Sequence, residues 1–106
     1  MLATTASVDE ILKLAGSREF TLVVDVERGE WLLPRAVWLL QEKLNAYASF
    51  ILDGKMREHY PYAQPADCRI VVRSRGQAPQ DARTLCEMVR EALAKDGVKL
   101  DFEQVT

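Results

Sequence analysis

The chain has 106 residues, the size of a single domain, and we expect one domain spanning 1–106. Charged residues make up 28% and apolar residues 48%, a mixture typical of globular proteins rather than disordered or fibrous ones. The formal net charge of −2 provides no general attraction to nucleic acid or to acidic membrane surfaces, so we expect neither as a partner.

No apolar run approaches the roughly 20 residues that a membrane-spanning helix needs. Residues 1–10, MLATTASVDE, have neither the basic start nor the apolar centre of a secretion signal. Cys68 and Cys86, the only cysteines, lie far apart without metal-binding or CxxC spacing, so we interpret them as reduced structural thiols. These features predict a cytoplasmic protein.

The first nineteen residues fit two structures. Residues 7–10 form a capping-box pattern, and the apolar positions around and after it share one helical face. The same segment also fits a hairpin that turns at Gly16-Ser17, although that dipeptide is a weaker turn signal than Asn-Gly. The residue patterns by themselves favour the helix.

Three later segments alternate apolar and polar side chains with a period of two: 20–26, 68–74 and 98–105. In each segment one face is apolar and the other is largely polar. Parallel strands with helices on both faces would be apolar throughout. The alternation therefore predicts a sheet whose helices cover one face only.

Two amphipathic helices supply that cover. The first lies between Pro34, which suits a helix start, and Gly54, which suits a helix end. The second lies between Pro79 and Gly97, with a cation in its last turn. Apolar side chains recur at helical spacing in both segments, which indicates one buried side on each helix.

The first helix also carries a longer motif. LLQEKLNAY at 39–47 is followed by Phe50, Gly54 and Tyr60-Pro61, and a looser match extends from Val8 over nearly the whole chain. This pattern resembles a family of small, mostly bacterial domains of unknown function. The resemblance implies a hairpin, and so a short strand, before residue 20. The chain differs from that family at 15–18 and at WLLPRAV, and the family brings no established activity.

Together these observations predict an α+β domain with the element order ββαβαβ. We expect a two-layer sandwich in which two helices cover one face of a mixed sheet of about four strands. Crossovers between parallel strands are expected to be right-handed.

The apolar arc of the first helix centres between Leu40 and Tyr47, and Lys43 falls inside that arc. We interpret it as a lysine whose stem lies on apolar surface while its ammonium reaches the edge or meets a carboxylate. The alternative is a buried, uncharged lysine that acts as a base or Schiff-base nucleophile. No acid or oxyanion partner for that chemistry is evident in the sequence.

The opposite side of the same helix carries Trp38, Asn45 and Leu52 at seven-residue spacing. An outward-facing tryptophan needs a cover. That cover is either the N-terminal segment or the 54–67 loop of the same chain, or another subunit. If another subunit covers the tryptophan, Asn45 would fix the register between the packed helices.

The segment DGKMREHYPYAQPAD contains His59, Tyr60 and Tyr62. Acid–base catalysis by His59 is disfavoured because no nucleophile can be assigned to it. We expect the tyrosines to anchor the loop on the domain, although binding residues often lie on loops of this length. The sequence contains no motif for a cofactor, a metal or a catalytic centre, and we predict none.

The uncovered sheet face is expected to carry Arg69, Arg73 and Arg75 beside Asp101 and Glu103. The carboxylates interrupt the positive field, and no aromatic residues alternate with the arginines, so a nucleic-acid surface is disfavoured. Cross-strand ion pairs on a solvated face are the preferred interpretation.

The function that these features favour is a small non-enzymatic domain that binds another protein or a second copy of itself. Its candidate contact residues are Trp31 and Trp38 near the helix start, Asn45 and Leu52 along the helix, and His59, Tyr60 and Tyr62 in the loop. The alternative is a small-molecule binder or an enzyme that uses the loop Gly54 to Asp67 and the first long helix. A pocket joining Glu42, Lys43, His59 and Tyr60 would favour that alternative, whereas a flat apolar patch would favour protein binding.

Overall fold

The computed structural model describes residues 10–13, 16 and 18–105. Its four strands are β1 (Glu10–Lys13), β2 (Phe20–Val26), β3 (Cys68–Arg75) and β4 (Lys99–Val105). Its three helices are α1 (Ala36–Leu52), α2 (Lys55–His59) and α3 (Gln80–Ala94), and 3-10 helices span Arg28–Leu32 and Pro65–Asp67. The strands form one sheet in the order β1-β2-β3-β4, with β1 antiparallel to β2 and the other neighbours parallel. The predicted α+β class with a four-stranded mixed sheet is confirmed.

One face of the sheet is dry, as the alternation predicts. Leu22, Ile70 and Leu100 form a row across β2, β3 and β4, and all three are buried. The inner sides of α1 and α3 join the same core, with Leu40 and Leu44 from α1 and other buried residues from α3. Since both long helices connect neighbouring parallel strands and pack on this face, the core is a single layer between helices and sheet.

The helix that residue patterns favour before β2 is wrong, and the strand implied by the family resemblance is confirmed. β1 pairs with β2 through four residue pairs, from Glu10 with Val23 to Lys13 with Phe20. Ile11 pairs with Leu22 and packs against the core, and Gly16 has a φ of 81°, which suits a turn. Pairing with the edge of β2 outweighs the weak helical pattern of a short segment. The capping-box residues 7–9 lie outside the described residues.

The start of α1 differs from the expected proline start. Its N-cap is Arg35, which has a left-handed φ of 65°, and the helix begins at Ala36. That conformation costs a non-glycine residue roughly 1 kcal/mol. The Arg35 guanidinium lies 4.2 Å from the centroid of the Trp38 ring, a cation–π contact that offsets part of the cost.

The segment expected as a loop between α1 and β3 contains α2 and the second 3-10 helix. Met56 and Ala63 from this segment are buried in the core. Tyr60 packs its ring 4.7 Å from the ring of Phe20, as expected for an anchor. Tyr62 is 89% exposed, so the expectation that it also anchors the segment is wrong. The segment therefore closes the end of the domain where β2 and β3 begin.

The other face of the sheet carries the expected ion pairs. Arg69 pairs with Asp101, Arg73 approaches Glu103 at 3.8 Å, and Arg75 approaches Asp25 at 3.5 Å. Surface pairs of this kind contribute little to stability and mainly neutralise one another. Arginine side chains here therefore leave little uncompensated positive charge.

Candidate functional site

The inner side of α1 contains a buried lysine. Lys43 is 0% exposed, and its ammonium lies 5.8 Å from the centroid of the Tyr47 ring. The first form of our interpretation, an ammonium that reaches the edge of the domain, is therefore wrong, whereas the second, an ammonium that meets a carboxylate, stays a prediction. Helical periodicity places the residue on the inner side but does not show how deeply its neighbours bury it. Because the side chain is inaccessible, a substrate cannot reach it, which argues against the nucleophile alternative.

Tyr47 lies one turn after Lys43 and is also fully buried. Its hydroxyl donates a hydrogen bond of 2.6 Å to the backbone carbonyl of Val23 in β2. Val23 is the partner of Glu10, the first described residue of β1. The tyrosine thus fastens α1 to the sheet beside the β1–β2 pairing.

Trp31, a predicted contact residue, is half-buried at the carboxyl end of the sheet. Its indole N–H donates to the Ser74 hydroxyl at 2.8 Å, and that hydroxyl donates to the Gly76 carbonyl at 2.9 Å. Ser74 is itself buried. These bonds attach the first 3-10 helix to the end of β3, so the described contacts of Trp31 are structural.

The outer side of the helix layer contains a shallow groove of about 340 Å³ between α1 and α3. We call it the helix groove and define it by its walls: Gln41, Asn45 and Ala48 of α1, and Leu85, Met88 and Ala92 of α3. Leu44 and Leu93 also line it and are buried, which gives the groove an apolar floor.

One residue of the predicted stripe on α1 lines the helix groove, and the other two lie toward the ends of the same helix. Trp38 is 45% exposed and lies near the start of the helix, whereas Leu52 is exposed at its end. Asn45, midway between them, lines the groove itself. The 54–67 segment packs around Phe20 and leaves the tryptophan open, so the cover that we considered within this segment is incomplete.

Sequence reasoning missed the exposure of several large apolar side chains, among them Met88, Leu32 and Leu33. Met88 is 64% exposed in the wall of the helix groove, and Leu32 and Leu33 are exposed just before α1. A signal for Met88 was present, because it falls outside the apolar stripe of α3. Leu32 and Leu33 carry no such periodic signal because they lie in and beside a short 3-10 helix.

A second hollow, of about 290 Å³, lies where β1 ends and β2 begins. We call it the tyrosine hollow: Phe20, Tyr60 and Ala63 line its inner part, and Lys13, Arg18, His59, Tyr62 and Asp67 are also among its lining residues. It brings together His59, Tyr60 and Tyr62 from the predicted set. Glu42 and Lys43 are not among the described residues that line it, so this hollow is not the pocket proposed as evidence for an enzyme.

His59 closes α2, and its Nδ1 lies 3.1 Å from the carbonyl oxygen of Lys55. Since a carbonyl oxygen only accepts, Nδ1 carries the hydrogen and Nε2 is left for other partners. The His59 ring also lies 5.8 Å from the ring of Phe50. These contacts hold the imidazole against the end of the helix layer.

The two thiols are free and buried. Burial raises the pKa of Cys68 to about 11, and the nearby carboxylate of Asp67 adds to the rise. Burial likewise raises the pKa of Cys86 to about 11, with a smaller contribution from Glu87. Both thiols are therefore protonated at neutral pH and are poor nucleophiles. Within residues 10–13, 16 and 18–105, no group of side chains has the arrangement of a metal site.

Comparison with known proteins connects the chain to a family. The model described as "Family of unknown function (DUF6572)" matches residues 2–106. No curated protein and no solved structure gave a significant match. Among the helices of the described residues, none is long and apolar enough to cross a membrane.

Proposed function

The chain belongs to the DUF6572 family of unknown function, and we propose that it is a non-enzymatic domain that binds a helical segment of another protein in the helix groove. The observation that carries this proposal is the exposure of large apolar side chains along one surface. Met88 is 64% exposed in the wall of a groove with an apolar floor, and Trp38, on the helix that forms the other wall, is 45% exposed. Apolar surface that is exposed and contiguous often marks a protein-binding site.

The form of the helix groove suits a helix as its occupant. Two helices already form its walls, and Ala48 and Ala92 leave room for a third backbone to approach. An amphipathic helix that lies in such a groove inserts apolar side chains at positions i, i+3, i+4 and i+7. The amides of Gln41 and Asn45 can fix its register by hydrogen bonding.

A cytoplasmic location agrees with the thiols. Cys68 and Cys86 are unpaired, and such thiols persist in reducing compartments. This supports a partner from the cytoplasm.

The test is affinity capture with the wild-type chain and with Met88→Glu, which places a charge in the groove wall. The matched control is Leu32→Glu, because Leu32 is exposed at 86% and does not line the groove. We expect a protein that the wild type and Leu32→Glu retain and that Met88→Glu loses by about tenfold or more. Identical captured proteins for all three would contradict the proposal.

If the chain self-associates through this surface, its partner is a second copy of the chain rather than another protein. Light scattering on the purified chain and on Trp38→Ala measures self-association directly. A dimer that Trp38→Ala converts to a monomer would replace the helical segment of another protein with a second copy of this chain. A monomer in both cases is the expected result.

A further inference from the structure

The tyrosine hollow supports a different activity, and we infer that it binds a small aromatic acid, that is, a flat ring that carries a carboxylate or a phosphate. None of the residues described as lining this hollow lines the helix groove, so the inference goes beyond the proposed protein interaction and does not depend on it. Its volume of about 290 Å³ is at the lower end of the roughly 300–1,000 Å³ typical of small-molecule sites. That size suits a ligand of one or two rings.

The inner part of the hollow is apolar and aromatic. Phe20 and Ala63 are buried, and the ring of Tyr60 packs on Phe20 at 4.7 Å with an angle of 51° between the planes. Tyr62, by contrast, is 89% exposed although it lines the same hollow. An aromatic ring that stands open beside an apolar surface offers a face on which a flat ligand can stack.

The charges around the hollow favour an anion. The Lys13 ammonium lies 5.4 Å from the centroid of the Phe20 ring, so it places positive charge over the inner part. Arg18 is exposed, and among the described residues no carboxylate forms an ion pair with it. A guanidinium in this state is suited to bidentate binding of a carboxylate or phosphate.

Among the described residues that line the hollow, one carries a carboxylate, and it is already engaged with the backbone. Asp67 accepts a hydrogen bond of 3.2 Å from the Gln64 N–H, as part of the cap of the second 3-10 helix. The guanidinium of Arg18 therefore has no ion pair with this carboxylate, and it remains the group of the described lining that is best suited to bind an anion.

A second charged hollow in the domain shows why the state of the Arg18 guanidinium matters. That hollow is lined by Arg69 and Lys99 among others. There Arg69 pairs with Asp101, and Lys99 approaches Glu19 at 3.7 Å, so its cations are compensated within the chain. The tyrosine hollow combines the guanidinium of Arg18, which has no ion pair among the described residues, with aromatic surface, and this second hollow does not.

The test is an NMR titration of the full chain with four probes: 2-naphthoate, 2-naphthyl phosphate, the neutral 2-naphthalenemethanol, and acetate. We expect saturable shifts at the amides of Arg18, Tyr62 and Ala63 with the two aromatic acids. At least one of these acids is expected to bind about tenfold more tightly than the neutral alcohol or acetate. The tighter of the two identifies the acid group. Equal affinity for acid and alcohol, no saturable shifts, or shifts confined to other regions would overturn the inference.

Arg18→Gln is the variant that tests the charge, and Lys55→Gln is its matched control. Lys55 is exposed on α2 and is not among the residues that line the hollow, yet its replacement changes the net charge equally. We expect Arg18→Gln to lower the affinity for the aromatic acid about tenfold and to leave the affinity for the alcohol unchanged. Lys55→Gln should change neither affinity. Equal losses of affinity for the acid in the two variants would mean that the effect is one of net charge alone, and would contradict a specific site at Arg18.

Tyr62→Ala tests the stacking. The residue is exposed, so the fold is expected to be retained, which the unperturbed amide spectrum verifies. Loss of the ring should lower the affinities for the aromatic acid and for the aromatic alcohol to a similar degree, because both ligands stack on it. Unchanged affinity for both probes would contradict a stacking role.

Discussion

On the inner side of the helix layer a lysine is fully buried, whereas on the outer side a tryptophan and a methionine are open to solvent. Lys43 is inside and Trp38 outside on the same helix, and Met88 is outside on α3. This reverses the usual preference, since lysine is almost never fully buried and large apolar residues usually are. These three residues lie on the two helices that form the helix groove.

The comparison shows that the apolar side chains are not exposed because the core is incompletely packed. The inner side is complete without them: Leu40 and Leu44 are fully buried, and Tyr47 makes a hydrogen bond to the sheet. A folded domain of this kind can lose outer apolar groups with little change in stability. The inner and outer sides should therefore respond oppositely in measurements of stability and of binding.

The largest expected effect on stability comes from the inner side. Leu40→Ala removes a fully buried side chain and leaves a cavity, which should lower the free energy of unfolding by about 3 kcal/mol. Leu32→Ala, at an exposed position before α1, is the control and should change it by less than about 0.5 kcal/mol. Urea denaturation of both variants measures the difference. Similar losses at the two positions would mean that the distinction between the sides is wrong.

A smaller effect is expected from alkaline pH. Because the pKa of each buried thiol is raised from 9.0 to about 11, the folded state holds protons that the unfolded state releases. The contribution of the two protonated thiols to the free energy of unfolding is therefore fully present below pH 9 and is lost as the pH rises toward 11. Between pH 9 and pH 10 the loss should be about 2 kcal/mol for both thiols together.

The control for this pH effect is the double variant with Cys68→Ala and Cys86→Ala. Its free energy of unfolding should fall less steeply over the same pH interval, whatever its value at neutral pH. Parallel pH profiles for the wild type and the double variant would contradict the assigned role of the thiols.

The hydrogen bond from Tyr47 should contribute less to the free energy of unfolding than the buried leucine or the two thiols. Tyr47→Phe keeps the ring but removes the donor to the Val23 carbonyl, so we expect a loss of about 1 kcal/mol. Tyr62→Phe removes the same hydroxyl from an exposed ring and should have no measurable effect. Thermal denaturation of the two variants provides the comparison, and a loss as large for Tyr62→Phe would contradict it.

The smallest effect on stability is expected on the outer side. Trp38→Ala removes the contact with Arg35, which at an exposed site contributes about 0.5 kcal/mol. The same change should nevertheless weaken partner binding, since exposed tryptophans often dominate protein interfaces. A large loss of stability with unchanged binding would assign Trp38 to the core instead.

Much of the fold could be predicted from the sequence because its longer elements are strongly periodic. The bounds of β2 agree with the predicted 20–26, and α3 lies within the limits set by Pro79 and Gly97. β1 was harder, since a four-residue strand fits a helical pattern equally well and depends on its pairing with β2. α2 is only five residues long and has no room for a periodic signal.

The candidate sites could be predicted only in part, for a physical reason. The stripe with Trp38, Asn45 and Leu52 lies on one helix, so helical spacing is enough to find it. The tyrosine hollow instead takes residues from β1, the start of β2 and the segment after α2. Arg18 and Lys13 could not be connected with His59 until the fold brought these segments together.

The most direct test of the proposed function is photo-cross-linking at position 88 in living cells, with a photoreactive aromatic residue in place of Met88. The same residue at Lys55, exposed but outside the groove, is the comparison. We expect a specific cross-link from position 88 to a helical segment of another protein, and none to that protein from position 55. The same cross-links from both positions, or none from position 88, would contradict a protein-binding role for the helix groove.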